Sequence, residues 1–397
     1  MRTLGEQLAA HTKAGDPALY ETYDGTWVRC FACGHECPIH DGASGVCKVR
    51  FNRAGTLMVP WGYVAGAQSD PIEKKPFFHV EPGSQALSFG MLGCDLKCAC
   101  CQNWVTSQAL RDPDAGSRLT ETRPESLVEA ARQSGARAVV STYNEPLITA
   151  EWAVAVFRLA REAGLRTGFV SNGHATPKVL EYLAPWIDMY KVDLKGFDRR
   201  QYRAYGGRLE PVLDTIRALH GMGIWLEVVT LIVPGVNDSD DELGQLTAFL
   251  VGVSPDIPWH VTAFHPTYRM TDRESTTPAM LMRAAGIGQR AGLRFVYAGN
   301  APGQVGDLED TKCPSCGEAL VKRRSYWIGT CRVTADGRCP ACQTPIPGRW
   351  HAGTSRRRRD SSGKCQNWNS PLGLSPNQSR PLSLIPTPLA PLPLSLL

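Results

Sequence analysis

The segment GMLGCDLKCACCQNWVTSQ sets Cys94, Cys98 and Cys101 at the spacing C-x3-C-x2-C. Three thiolates on one short, wrapped loop can each take one iron of a cubane cluster, which leaves the fourth iron without a protein ligand. An open coordination position separates a catalytic metal centre from a closed structural one. A chelating ligand that carries an amino and a carboxylate group can fill it. Cys100 stands beside Cys101, so spacing rather than residue type selects Cys101. The plainer alternative is a zinc knuckle or a set of buried apolar thiols.

Two further cysteine groups flank this one. Cys30, Cys33, Cys37 and Cys47 offer four thiolates within 18 residues, with His35 and His40 nearby. Four closed ligands suit a structural zinc or a second iron–sulfur cluster, and the sequence does not choose between them. Cys313 and Cys316, then 22 residues, then Cys339 and Cys342 form two CPxC knuckles with the look of a zinc ribbon. Cys331, between the knuckles, is spare, and Cys365 stands alone. The opening MRTLGEQLAAHTKAG lacks the apolar run of an export signal. No window reaches the roughly 18 apolar residues of a membrane span. These observations point to the cytoplasm, where clustered thiols bind metals more readily than they pair as disulfides. A formal charge of +5 over 397 residues is too mild to steer the chain to nucleic acid or a membrane. The basic and aromatic residues of the ribbon (Lys322, Arg323, Arg324, Tyr326, Trp327) make only a modest nucleic-acid surface.

The elements that must position these thiols alternate in type. Apolar runs at 86–90, 138–141, 165–171, 189–194, 224–233, 260–264 and 295–298 read as strands. Amphipathic stretches at 124–134, 149–163, 177–183, 211–222, 239–250 and 278–291 read as the helices between them. That alternation implies an α/β fold of parallel strands covered by helices, a barrel or an incomplete barrel. Function in such a fold lies at the C-terminal ends of the strands. After Trp350 the pattern stops. The run Arg356–Arg359 reads as solvated charge, and the Pro/Ser/Leu-rich end reads as disordered.

Several motifs then occur in order: CQNW after the last cluster cysteine, TYNEP at 142–146, VSNG at 170–173 and VDLKGF at 192–197. TLIVPGVNDS at 230–239, FHPTYRM at 264–270 and YAGNAPG at 297–303 follow. With the cysteine loop, they resemble the radical S-adenosylmethionine (SAM) superfamily. Within it, the likeness is to the AmmeMemoRadiSam system radical SAM enzymes, relatives of the pyruvate formate-lyase activating enzymes. It covers roughly residues 20 to 350. The resemblance implies a partial (β/α)6 TIM-like radical SAM barrel flanked by small Cys-rich metal-binding modules. The expected divisions are 1–82 for an N-terminal Cys-rich module and 83–303 for the barrel, then 304–352 for the ribbon and 353–397 for the tail.

The same resemblance implies a 4Fe–4S cluster on Cys94, Cys98 and Cys101, and SAM on the open iron. Electron transfer into the sulfonium yields methionine and a 5′-deoxyadenosyl radical, which removes hydrogen from a substrate carbon. Asn144 and Glu145 would accept from the methionyl ammonium, and Ser171 and Asn172 would meet the ribose or the methionyl group. Lys195 would meet the methionyl carboxylate, with Asp193 two residues away on the same strand face. His265 would lie near the ribose. Read by residue type alone, Glu145, Ser171 and Asn172 also suit turns, Asp193 and Lys195 an internal pair, and His265 a structural role. The family usually places an aromatic residue where Cys100 stands, so the adenine would lose that packing. The implied substrate is a protein or peptide, and the implied electron donor is of flavodoxin or ferredoxin type. AMMECR-type and Memo-type proteins are the expected partners. Rival readings are a radical SAM methyl- or sulfur-transfer enzyme and a zinc-only binding module.

Overall fold

Strands buried on both faces need apolar residues in both registers, and this chain supplies them. The computed structural model describes residues 4–115 and 118–350; the expected tail at 353–397, with Cys365, lies outside them. Strand β1 is Gly66–Pro71 and β2 Gln85–Gly90, followed by helix α1 Pro124–Gln133 and β3 Ala138–Ser141. Then come α2 Ala150–Glu162, β4 Arg166–Ser171, α3 Pro177–Leu183 and β5 Met189–Asp193. The series closes with α4 Leu209–Gly221, β6 Trp225–Ile232, α5 Asp240–Val253, β7 Trp259–Ala263, α6 Pro278–Ala291 and β8 Val296–Gly299. These strands form one eight-stranded sheet in chain order. Strands β2 to β8 run parallel, and β1 lies antiparallel to β2. The barrel is open, with seven parallel strands where the family pattern implies six. Its edge strand β1 comes from before residue 83, so the N-terminal segment is continuous with the sheet.

The two faces of each strand go to different cores. Leu87, Phe89, Val139, Phe169, Tyr190, Val192 and Val228 meet Leu127, Trp152, Val156, Val179, Ile216, Leu246 and Leu281 of the helices. Each such side chain contributes roughly 1.5–3 kcal/mol by leaving water. On the other face Ala86, Ala138, Val140 and Met189 pack with Ile72, Phe77 and Val80, which enter the base of the lumen. The helix starts are signalled locally. Thr176, Ser239 and Thr277 accept hydrogen bonds from the backbone N–H groups of Val179 (3.2 Å), Glu242 (3.3 Å) and Met280 (3.3 Å). Pro177 and Pro278 begin α3 and α6, where a missing N–H costs nothing. Gly292 ends α6 at φ 108°, a left-handed cap that disfavours any other residue.

The N-terminal ends of the strands are sealed. Buried Glu227 of β6 accepts from the N–H groups of Phe78 (3.0 Å) and His79 (2.9 Å) and from His260 Nε2 (2.7 Å). His79 Nδ1 donates to the Pro347 carbonyl (2.6 Å), so its Nε2 accepts from the Tyr297 hydroxyl (2.6 Å). Burial, which lowers its pKa to about 4, keeps that imidazole neutral. Arg323, from the C-terminal module, reaches the Phe78 carbonyl at 2.7 Å. The ribbon strands Thr311–Lys312, Ala319–Arg324 and Trp327–Cys331 pack through Leu320 and Val321 on Phe78, Phe295 and Tyr297. Among the described residues, no helix is long and apolar enough to cross a membrane.

Candidate metal and cofactor site

At the opposite end of the lumen, the chain leaves β2 into the loop that carries the second cysteine group. A Cβ at Gly90 would stand 2.5 Å from the Thr142 carbonyl, so only glycine lets β2 and the TYNEP turn approach so closely. The loop is pinned by its backbone. Arg111 donates to the carbonyls of Leu96 (2.7 Å) and Cys94 (2.8 Å), and to that of Val46 in the N-terminal module (2.6 Å). Lys97 N–H reaches the Tyr205 carbonyl at 2.8 Å. Leu96, Cys98 and Cys100 pack with Tyr205, Val233 and Phe264. Cys100 thus points into an apolar seat shared with Tyr205.

Burial pushes the thiols of Cys94, Cys98 and Cys101 up from their ordinary range. Asp95 and Glu145 add to this at Cys94, while the Lys195 ammonium opposes it at Cys98 and Cys101. Burial works against the charge on Lys195, yet Asp193 and the thiols of Cys98, Cys100 and Cys101 hold its pKa well above normal. A thiol held protonated by burial ionises when a metal binds, and the metal then carries the compensating charge. Three such thiols with a cation beside them fit an anionic iron–sulfur group.

The other sequence candidates gather at the C-terminal ends of β3, β4 and β5. Asn144 Oδ1 accepts from Met91 N–H (2.9 Å) and its Nδ2 donates to the Glu145 carbonyl (3.2 Å). The Glu145 carboxyl accepts from Ser171 Oγ (2.7 Å), Asn172 N–H (2.8 Å) and Leu147 N–H (3.0 Å). Burial, with Asp95 nearby, pushes it up to about 8. Asn172 Nδ2 lies 2.7 Å from Asp95 Oδ1 and 4.0 Å from Cys94 Sγ. Asp193 accepts from Lys195 at 3.3 Å and also from Lys191. His265 follows β7, with Nδ1 3.3 Å from Ser275 Oγ.

Sequence reasoning missed Asp95, His174, Arg111 and Lys191 here. Asp95 is fully buried and accepts from His174 Nδ1 at 2.9 Å. His35 Nε2 lies 3.1 Å from the Asp95 carbonyl, which ties the first cysteine module to the loop. His174 and Arg111 carry no local signal, because each acts across the fold. Lys191 was findable: it stands two residues before Asp193, on the same strand face.

The cysteine sets differ in spacing. The sulfurs of Cys313, Cys316, Cys339 and Cys342 all lie within 4.8 Å of one another. The pairs Cys313–Cys342 and Cys316–Cys339 stand 3.5 and 3.7 Å apart. Four thiolates about 2.3 Å from one tetrahedral ion would stand ~3.8 Å apart. Neither Cys94, Cys98 and Cys101 nor the N-terminal four close to that degree among the described residues. Cys33 instead groups with Asp95 and His174, their ligand atoms within 4.8 Å of one another.

Comparison with known proteins bears on this geometry. The profile described as "Radical SAM superfamily" matches residues 90–247. An uncharacterized protein of Methanocaldococcus jannaschii is 37% identical over 331 residues, which is 83% of this chain and 97% of that protein. The pyruvate formate-lyase-activating enzyme of Streptococcus mutans is 24% identical over 206 residues, 50% of this chain and 77% of that enzyme. Among solved structures, a radical SAM methyltransferase from Sphaerobacter thermophilus aligns with TM-score 0.43 and 17% identity, over 57% of this chain and 69% of that one.

Proposed function

The chain belongs to the radical SAM superfamily, and from that premise we propose that it acts as an activating-enzyme-like member of the AmmeMemoRadiSam group. In this reading Cys94, Cys98 and Cys101 hold a 4Fe–4S cluster. The bound cluster and SAM supply reductive cleavage to methionine and a 5′-deoxyadenosyl radical. The chain's residues bind and orient. The Lys195 ammonium, held charged by Asp193 (3.3 Å), receives the methionyl carboxylate. Asn144 and Glu145 receive the methionyl ammonium, for which Glu145 gives up one of its present donors. Ser171, Asn172 and His265 line the nucleoside. The sealed base of the lumen excludes water from below, so substrate enters at the cysteine end.

A single observation carries this reading: the loop of Cys94, Cys98 and Cys101 meets Asn172 through Asp95 (2.7 Å), beside Glu145 and Ser171 at the C-terminal ends of neighbouring strands. The substrate is a protein or peptide, and a flavodoxin- or ferredoxin-type donor supplies the electron. AMMECR-type and Memo-type partners belong to the same proposal. So do a zinc ion in the C-terminal ribbon, the four-part division of the chain and a cytoplasmic location. Anaerobically reconstituted protein with dithionite and SAM should release 5′-deoxyadenosine, and Cys94→Ala should bring release to background. Cluster-replete wild-type protein that leaves SAM intact would sink the proposal. S-adenosylhomocysteine as the product would replace it with methyl transfer.

A further inference from the structure

We infer that Cys30, Cys33, Cys37 and Cys47 hold a second iron–sulfur cluster, not a single metal ion, next to the first. Their sequence spacing suits either, but their arrangement in space does not. One tetrahedral ion draws four sulfurs together, as the C-terminal set already shows at 3.5 and 3.7 Å. A cubane places each thiolate on a different iron, so its ligands stand farther apart. The N-terminal sulfurs, like those of Cys94, Cys98 and Cys101, do not gather within 4.8 Å. This yardstick rests on the radical SAM reading of the second set.

The four thiols nevertheless share one buried neighbourhood. Cys30, Cys33 and Cys47 are buried. Cys30 and Cys37 pack in one cluster, and the Cys30 N–H reaches the Cys37 carbonyl at 3.0 Å. Arg50, three residues after Cys47 and 1% exposed, holds the module's loop through its carbonyl, which accepts from Gly45 N–H at 2.9 Å. Two of its nitrogens are bound to Glu151 at 2.7 and 2.8 Å, but its Nε has no hydrogen-bond partner. A buried, unspent N–H donor on a cation of the same module suits the sulfur of an anionic cluster.

The two sets flank the same three residues. A Cβ at Gly93 would stand 3.0 Å from the Cys47 carbonyl, and the Asp95 carboxylate groups with Cys33. Cys94 lies between them, its Sγ 3.7 Å from Asp95 Oδ1. A cluster on the N-terminal set would therefore adjoin the first, a position from which it could exchange an electron with it.

The test is an iron, sulfide and zinc count on full-length protein reconstituted without air, in wild type, in Cys94→Ala/Cys98→Ala/Cys101→Ala and in Cys30→Ser/Cys37→Ser. We expect about eight irons in wild type and about four in each variant. The triple variant should also show a dithionite-induced paramagnetic resonance signal. A triple variant with no iron and about two zincs overturns the inference and leaves the first site's assignment standing. Iron lost only from Cys30→Ser/Cys37→Ser overturns the inference as stated, because the second set, which supplies both its yardstick and its neighbouring cluster, would then hold no iron. Because the triple variant leaves the N-terminal module untouched, a poorly folded double variant does not blur the result.

Discussion

The two flanking cysteine modules have the same number of candidate ligands and opposite positions. The C-terminal four already stand at single-ion distances, and their ribbon presses Leu320, Val321 and Arg323 onto the sealed base of the lumen. The N-terminal four are spread more widely, and their module reaches the cluster loop through His35, Cys33 and the Val46 carbonyl. A module at the base can act on stability without touching the chemistry. One that shares residues 93–95 with the reactive loop cannot. Four cysteines supply the ligands for a metal site, but their place in the fold decides what a metal held there could influence.

The largest effect that could break this contrast comes from the C-terminal four, if they hold the ion proposed for them. Cys339→Ala should cost several kcal/mol, because binding energy at such a site is folding energy. Thermal denaturation should show the loss, while 5′-deoxyadenosine formation per folded molecule stays near wild type. A proportional loss of turnover would erase the distinction. Next comes Asp95→Asn, which removes a buried charge paired with His174 at 2.9 Å. A cost of about 3 kcal/mol is expected, with loss of iron, since the substitution disturbs the contact between module and loop. Urea unfolding and iron retention measure both.

A pH experiment sharpens the base of the comparison. Burial lowers His79 to about 4 from its ordinary 6.5. The unfolded chain binds that proton first as pH falls, so the stabilisation is full above about 6.5 and is lost toward 4. By pH 5 it should have fallen by about 2 kcal/mol. His79→Gln should flatten that part of the denaturation profile. The smallest expected effect is that of Arg111→Ala, which removes hydrogen bonds to the Leu96, Cys94 and Val46 carbonyls. About 1–2 kcal/mol is expected, seen as faster iron release to a chelator, with the C-terminal metal unaffected.

Much of this molecule was legible in one dimension. Spacing alone singled out Cys94, Cys98 and Cys101, and alternating apolar runs located every parallel strand, because both signals are local. The extra edge strand Gly66–Pro71 was not seen, since its sequence GAQSDP has none of the apolar character of a central strand. Asn144, Glu145, Ser171 and Asn172 were found as motif residues. That they bond largely to one another and to Asp95 could be learned only from the fold.

What the amino-acid order determined by itself was therefore the ligand inventory and the β/α rhythm that carries it. Tertiary structure alone decided that Asp95 meets His174 and Cys33, and that the sulfurs of Cys313, Cys316, Cys339 and Cys342 come within 4.8 Å of one another. The physical reason is that ligation and charge pairing depend on distances of a few ångströms between residues far apart in the chain, 79 positions for Asp95 and His174 and 218 for His79 and Tyr297. Periodicity and spacing carry no record of such distances until the sheet has curled and its helices have packed.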